Sequence, residues 1–299
     1  MSMAVWEITI AVLLAVLAFD LALAIIRRNK ETSMREASIW TAFYVGAAII
    51  FGYSLGQWSQ TQARNEFFAG WITEYSLSID NLFIFILILA RFQIDKKKQQ
   101  LVLLAGIAMA LVLRGIFIAL GAAAIDRYSW VFYIFGAFLI FTSYKLFTED
   151  KEKEWKEGKV ILWLRKRGAS SLTIVLVAIA FTDLIFALDS IPAIFGLTKD
   201  PYIVFTANAF ALMGLRQLYF LLGGLMDKLI YLNEGLSVIL GFIGIKLVLE
   251  AVHSGGTHKL LGIKVPEIST QFSLGVIVIT LFITVVASLV NTSKSKVAE

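Results

Sequence analysis

Polar positions along this chain gather in short clusters, and the stretches between them are long and almost wholly apolar. Nine such stretches can be counted, with cores near 5–26, 39–58, 71–92, 101–124, 130–147, 172–195, 203–225, 236–252 and 272–290. An apolar run of about 18 residues or more is long enough to cross a bilayer as a helix. The runs do not alternate polar with apolar, as the strands of a membrane barrel must. Backbone groups in hydrocarbon have to bond within their own segment, so helices are the expected form. The pattern predicts an all-α polytopic membrane protein of about nine spans, forming one transmembrane domain over 1–299.

Composition sharpens that reading. Of 299 residues 59% are hydrophobic and 16% charged, and mean hydropathy is +0.79. Soluble domains carry about a quarter charged residues. No basic residue precedes the first apolar run, and Arg27 and Arg28 follow it, so 5–26 reads as a retained span and not as a cleaved leader. Of the 27 Lys and Arg residues, 19 fall in alternate connections near 27–35, 91–98, 145–167 and 228 and in the C-terminal tail. Only Arg64, Arg127, Lys199, Lys259 and Lys264 fall on the other side. The positive-inside rule then puts the N-terminus outside and the C-terminus in the cytoplasm. Lys145 and Lys246, near span ends, are expected to snorkel. The net charge of +5 is accounted for by these loops, and no basic-aromatic pattern points to nucleic acid.

The charge-rich stretch 149–171 separates the fifth and sixth runs and reads as a cytoplasmic connector, with room for a short amphipathic surface helix at 155–164. On its two sides the chain repeats itself. TEYSLSIDN at 73–81 matches TDLIFALDS at 182–190, the pair Asp126–Arg127 matches Asp227–Lys228, and LIFTSYKLFTE at 139–149 matches LGFIGIKLVLE at 240–250. Each copy, 71–149 and 172–252, holds three spans. Three is odd, so the second copy enters the membrane from the opposite side, as in an inverted-topology repeat with its axis in the membrane plane. Residues 1–60 then add two peripheral helices, 150–171 the connector and 270–292 a C-terminal helix. The small-residue runs at 121–124 and 223–224 are expected to allow close helix packing.

The repeated motifs place Glu74, Asp80, Asp183 and Asp189 inside spans. Each charge at a bilayer centre costs roughly 2.5–3.5 kcal/mol, so the four together cost on the order of 10 kcal/mol unless compensated. Compensation can come from Arg114 or Arg216, from protons, or from a bound cation. At 100° per residue Glu74 shares a face with Asn81, and Asp183 with Ser190, while Asp80 and Asp189 lie about 120° away from the first acids. Either the helices are interrupted or the two acids of each motif have different tasks. Pro192 removes the donor to the carbonyl of Leu188, beside Asp189, and makes a break there the expectation. Carboxylates, an amide and a hydroxyl form an all-oxygen set suited to hard divalent cations such as Mn²⁺, Mg²⁺ or Ca²⁺. Asn208 and Asp20 are further buried polar candidates, and Arg114 and Arg216 are expected beside the acids.

The chain has no cysteine, and its two histidines, His253 and His258, share one polar loop. No HExxH and no nucleophile with an adjacent base is present, so no catalytic residue is assigned and an enzyme is not expected. Three non-enzymatic readings stand: a cation transporter, a proton relay, and a membrane-assembly or stress adaptor in which the acids only hold helices together.

Residues 181–222, FTDLIFALDSIPAIFGLTKDPYIVFTANAFALMGLRQLYFLL, and EYSLSIDN at 74–81 resemble the signature motifs of the TerC family, which includes Alx-type proteins and belongs to the LysE-like transporter group. The resemblance extends over nearly the whole chain. It implies a bacterial inner-membrane exporter of Mn²⁺, a family linked by name to tellurite resistance, with Glu74, Asp80, Asp183 and Asp189 as its acids and Asn81 and Ser190 beside them.

Overall fold

The structure is a computed structural model. It describes residues 3–26, 33–59, 61–94, 96–128, 130–148, 159–222, 229–254, 259–260, 263–264 and 266–295. Within these the side chains of Asp80, Asn81, Asp189 and Arg216 lie outside the described residues, as do positions 149–158, 223–228 and His258.

The described chain is almost entirely helical, as its sequence pattern predicts. The helices are α1 (Met3–Ile26), α2 (Met34–Trp58), α3 (Thr61–Arg91), α4 (Lys96–Arg127), α5 (Val131–Thr148), α6 (Lys159–Lys166), α7 (Ser171–Phe195), α8 (Pro201–Met213), α9 (Leu215–Leu222), α10 (Leu232–Ser254) and α11 (Thr270–Ser295). A two-residue antiparallel ladder joins β1 (Lys259–Leu260) to β2 (Ile263–Lys264). Polar caps mark several starts. Ser33 Oγ accepts from Glu36 N, Ser170 Oγ from Thr173 N, and Asp200 Oδ1 from Tyr202 N, satisfying amides that have no partner inside the helix.

Seven helices are long and apolar enough to cross a membrane: α1, α2, α4, α5, α7, α10 and α11. The two other predicted spans differ for identifiable reasons. α3 is a continuous helix of 31 residues that carries Glu66, Glu74 and Asp80. The run 203–225 is not one helix: α8 ends at Met213, α9 begins at Leu215, and Gly214 lies between them. A Cβ at Gly214 would lie 3.4 Å from the Tyr75 ring, so the interruption sits directly against α3. The break expected at Pro192 does not occur. Helical hydrogen bonding continues to Phe195, with Gly196 N donating to Pro192 O at 3.0 Å. The surface helix near 155–164 appears as the shorter α6; Ile161 is buried against α7 while Val160, Leu162 and Trp163 are exposed.

Close contacts give the helix directions. Gly106 meets Ile179 and Gly121 meets Phe195, so α4 and α7 run parallel. Gly70 meets Ala207 and Tyr75 meets Gly214, so α3 and α8 also run parallel. α5 and α10 run antiparallel: Gly136 abuts Gly244, and Ser143 Oγ donates to Ser237 O at 2.7 Å. A Cβ at Gly136 would lie 2.8 Å from Gly244 O, and one at Gly244 would lie 2.9 Å from Gly136 O, so these two backbones touch. The matched stretches 139–149 and 240–250 therefore run in opposite directions. α3 packs on α7 and α8, and α4 on α7 and α8, which leaves four helices around one buried centre.

Candidate functional site

That centre is polar. Arg114 of α4 is fully buried, among the largest fully buried side chains, and points at three other helices. Its Nη2 donates to Asp183 Oδ1 of α7 at 3.0 Å and its Nε to Asp183 Oδ2 at 3.4 Å, a fork matched to a carboxylate. Its Nη1 donates to Asn208 Oδ1 of α8 at 2.9 Å and pairs with Glu74 Oε1 of α3. Ser78, one turn along α3, donates to the same Glu74 oxygen at 3.2 Å. Asn208 turns its amide nitrogen back to Val204 O at 3.0 Å, which fixes its oxygen toward the guanidinium.

The charges do not balance. Glu74 and Asp183 bring two negative charges and Arg114 one positive. Glu74 Oε2 is buried with no hydrogen-bond partner among the described residues, and so is Ser190 Oγ of α7. An unmet carboxylate oxygen at such depth is costly unless a proton or a cation meets it.

The predicted residues thus separate. Glu74, Asp183, Asn208 and Arg114 come together, and Ser190 is buried on the Asp183 face of α7 as its spacing requires. Asp20 of α1 is buried but is not among the groups Arg114 contacts. Asp80, Asn81, Asp189 and Arg216 lie on helices whose course is described, with side chains outside the described residues. Since α3 and α7 are both uninterrupted, the geometry leaves the second of the two alternatives: the first acid of each motif meets Arg114, and the second faces another direction. Among the described residues no three acidic or histidine side chains converge as a metal cluster, and the cation held between Glu74 and Asp183 is the chain's own guanidinium.

Two features escaped the sequence reading. Ser78 was legible in principle, since it stands four residues after Glu74 and so on the same helix face. The second is a polar cavity at the far end of α3. There Glu66 accepts from Thr198 at 2.5 Å and from Gln62 at 2.7 Å, and Lys199 donates to Glu250 at 2.6 Å. Lys246 belongs to this group. It is 8% exposed, contrary to the expectation that it snorkels, because α3, α5 and α11 pack around α10 and leave its end no lipid to face. Lys145 is exposed as expected.

Comparison with known proteins agrees with this fold. The profile of the integral membrane protein TerC family matches residues 58–296. An uncharacterised membrane protein of Mycobacterium tuberculosis is 42% identical over 95% of this chain and 78% of its own length. The thylakoid membrane protein TERC of Arabidopsis thaliana is 37% identical over 89% of this chain and 71% of its own. Alx of Salmonella typhi, whose name presents it as a candidate membrane-bound redox modulator, is 36% identical over 82% of this chain and 85% of its own. No solved structure matches.

Proposed function

We propose that this chain, which belongs to the TerC integral membrane protein family, is a secondary transporter that exports a divalent metal cation, Mn²⁺ first among the hard ions, through the carboxylate site between α3 and α7. One observation carries the reading. Equivalent acids from the two matched motifs, Glu74 and Asp183, converge on a single buried cation, with one negative charge and the Glu74 Oε2 atom left over. A site that holds a guanidinium by oxygen atoms alone has the chemistry to hold a hard metal ion in its place.

In this reading Arg114 is a tethered counter-cation. It keeps the two acids neutral enough to stay buried when no metal is bound, and a substrate ion displaces it. Release of the metal returns the acids to Arg114 or to protons, which gives a route to proton exchange. Asp80 and Asp189, about 9 Å further along their helices at 1.5 Å per residue, carry the ion toward or away from the centre. The parallel pairs α4 with α7 and α3 with α8, and the antiparallel pair α5 with α10, support an inverted repeat whose halves rock to alternate access. Nine crossings, an outer N-terminus and a cytoplasmic C-terminus in a bacterial inner membrane complete the reading. Residues 150–171 then form the connector between the repeats.

A second reading, a membrane-assembly or stress adaptor without transport, is favoured by one detail: both Asp183 oxygens are already met by Arg114, as in a purely structural pair. The relative's name adds redox modulation to that reading. With no cysteine in this chain, such a role would not run through its own thiols. Metal flux into proteoliposomes separates the two readings. Glu74→Gln and Asp183→Asn are each expected to reduce Mn²⁺ flux to the level of protein-free vesicles while the helical signal persists. A wild-type rate in either variant would sink the transport reading.

A further inference from the structure

The Arg114 centre is not the molecule's only buried polar feature. At the end of the bundle where α3 and α11 begin and α7 and α10 finish lies a cavity of about 520 Å³. On the charge-asymmetry reading this is the extracytoplasmic end. The cavity is separated from the Arg114 centre by a dry contact: a Cβ at Gly70 would lie 3.2 Å from Ile194 Cγ2 and 3.3 Å from Ala207 Cβ. Its contents therefore do not touch Glu74 or Asp183.

Four charged side chains line it, and three have partners. Glu66 has both oxygens engaged, by Thr198 and Gln62. Glu250 is engaged by Lys199 at the rim, where both side chains are about half exposed. Lys246 alone makes no hydrogen bond or ion pair among the described residues, although it is 92% removed from solvent and opens on the cavity. An ammonium buried to that extent requires an anionic or strongly polar partner. Two long helices, α3 and α11, start at the same cavity, and Thr61, Gln62 and Thr270 of their first turns line it. The free amides of those first turns add partial positive charge.

We propose that this cavity is a binding site for a small carboxylate of single negative charge, with Lys246 as its principal donor. The charge class follows from the lining. Glu66 and Glu250 remain within reach of any occupant, so an anion of charge two meets repulsion that a monoanion meets only once. The volume falls within the range of small-molecule sites and exceeds what one metal ion needs. The site stands independently of metal transport through the Arg114 centre.

The test is thermal melting of the purified full chain titrated with sodium acetate and sodium lactate. Sodium chloride at equal ionic strength and inorganic phosphate serve as comparisons. Both carboxylates are expected to raise the midpoint saturably, and chloride is expected to leave it unmoved and phosphate to act more weakly. Lys246→Met is expected to weaken the apparent carboxylate affinity by about tenfold or more, the worth of one charge-assisted hydrogen bond. Lys246→Arg retains the response, and Lys145→Met, at an exposed matched position, leaves it unchanged. Equal carboxylate responses in wild type and Lys246→Met, or an equal response to chloride, would overturn the site. A phosphate response as strong as that to acetate would overturn the charge class. Should Lys246→Met fail to fold, amine-directed labelling of the wild-type chain decides the matter. Saturable protection of Lys246 by acetate supports the site, and unchanged labelling overturns it.

Discussion

Replacing Arg114 by methionine isolates what the buried guanidinium does. Methionine keeps much of the apolar stem and removes every donor. Asp183 then loses donors at 3.0 and 3.4 Å, Asn208 loses one at 2.9 Å, and Glu74 loses its ion pair. Removing one partner of a buried ion pair costs about 3–5 kcal/mol, because the other partner stays buried and uncompensated. Here two carboxylates are stranded together, so the upper part of that range applies. At roughly 2–4 °C per kcal/mol for larger domains, the melting midpoint is expected to fall by on the order of 10 °C. The metal dependence carries the stronger test. A cation held at ~100 times its dissociation constant returns ~2.7 kcal/mol. Mn²⁺ is therefore expected to restore much of the loss in Arg114→Met, and to stabilise wild type less, since there it must first displace the guanidinium. The assay is melting of purified protein across a Mn²⁺ series, with the double variant Arg114→Met/Asp183→Asn as control. That double variant is expected to be more stable than the single one in the absence of metal, because one stranded charge has been removed. Two results refute the reasoning: a metal-free Arg114→Met that melts with wild type, or equal Mn²⁺ stabilisation of both proteins.

Gly244→Val is expected to destabilise the chain by about 1–3 kcal/mol through overpacking, because its Cβ would lie 2.9 Å from the backbone oxygen of Gly136. Gly275→Ala, with no atom within 4 Å of the added carbon, is the matched control, and thermal melting reads both. Thr198→Val removes the 2.5 Å hydrogen bond to Glu66 and is expected to cost about 1–3 kcal/mol for a buried acceptor left unmet. Adding Glu66→Gln to it is expected to recover part of that loss in a denaturation experiment, since a neutral amide is less costly to leave unpaired.

Much of the architecture was written in hydrophobic runs, because helix length and lipid exposure are local properties of a segment. The odd number of spans per repeat even carried the opposing directions of the matched stretches 139–149 and 240–250. The errors fell where a neighbour overrode a local rule. Pro192 removes one donor, but its helix is long enough to continue through that loss. Gly214 is an unremarkable glycine in the sequence, yet it interrupts a span where Tyr75 presses on it. Lys246 looks like a lysine at a membrane boundary until α11 covers it.

By itself the sequence determined the class of molecule, the repeat and the four acids that hydrocarbon would not tolerate unpartnered. Those follow from transfer free energy and periodicity, which each residue carries alone. Tertiary structure decided which charges meet. Arg114 lies 40 residues from Glu74 and 69 from Asp183. Only the packing of α4 against α7 and α8 brings its five donors to two carboxylates and an amide. Electrostatic pairing depends on distance in space, and no spacing along the chain specifies that distance once three different helices must supply the partners.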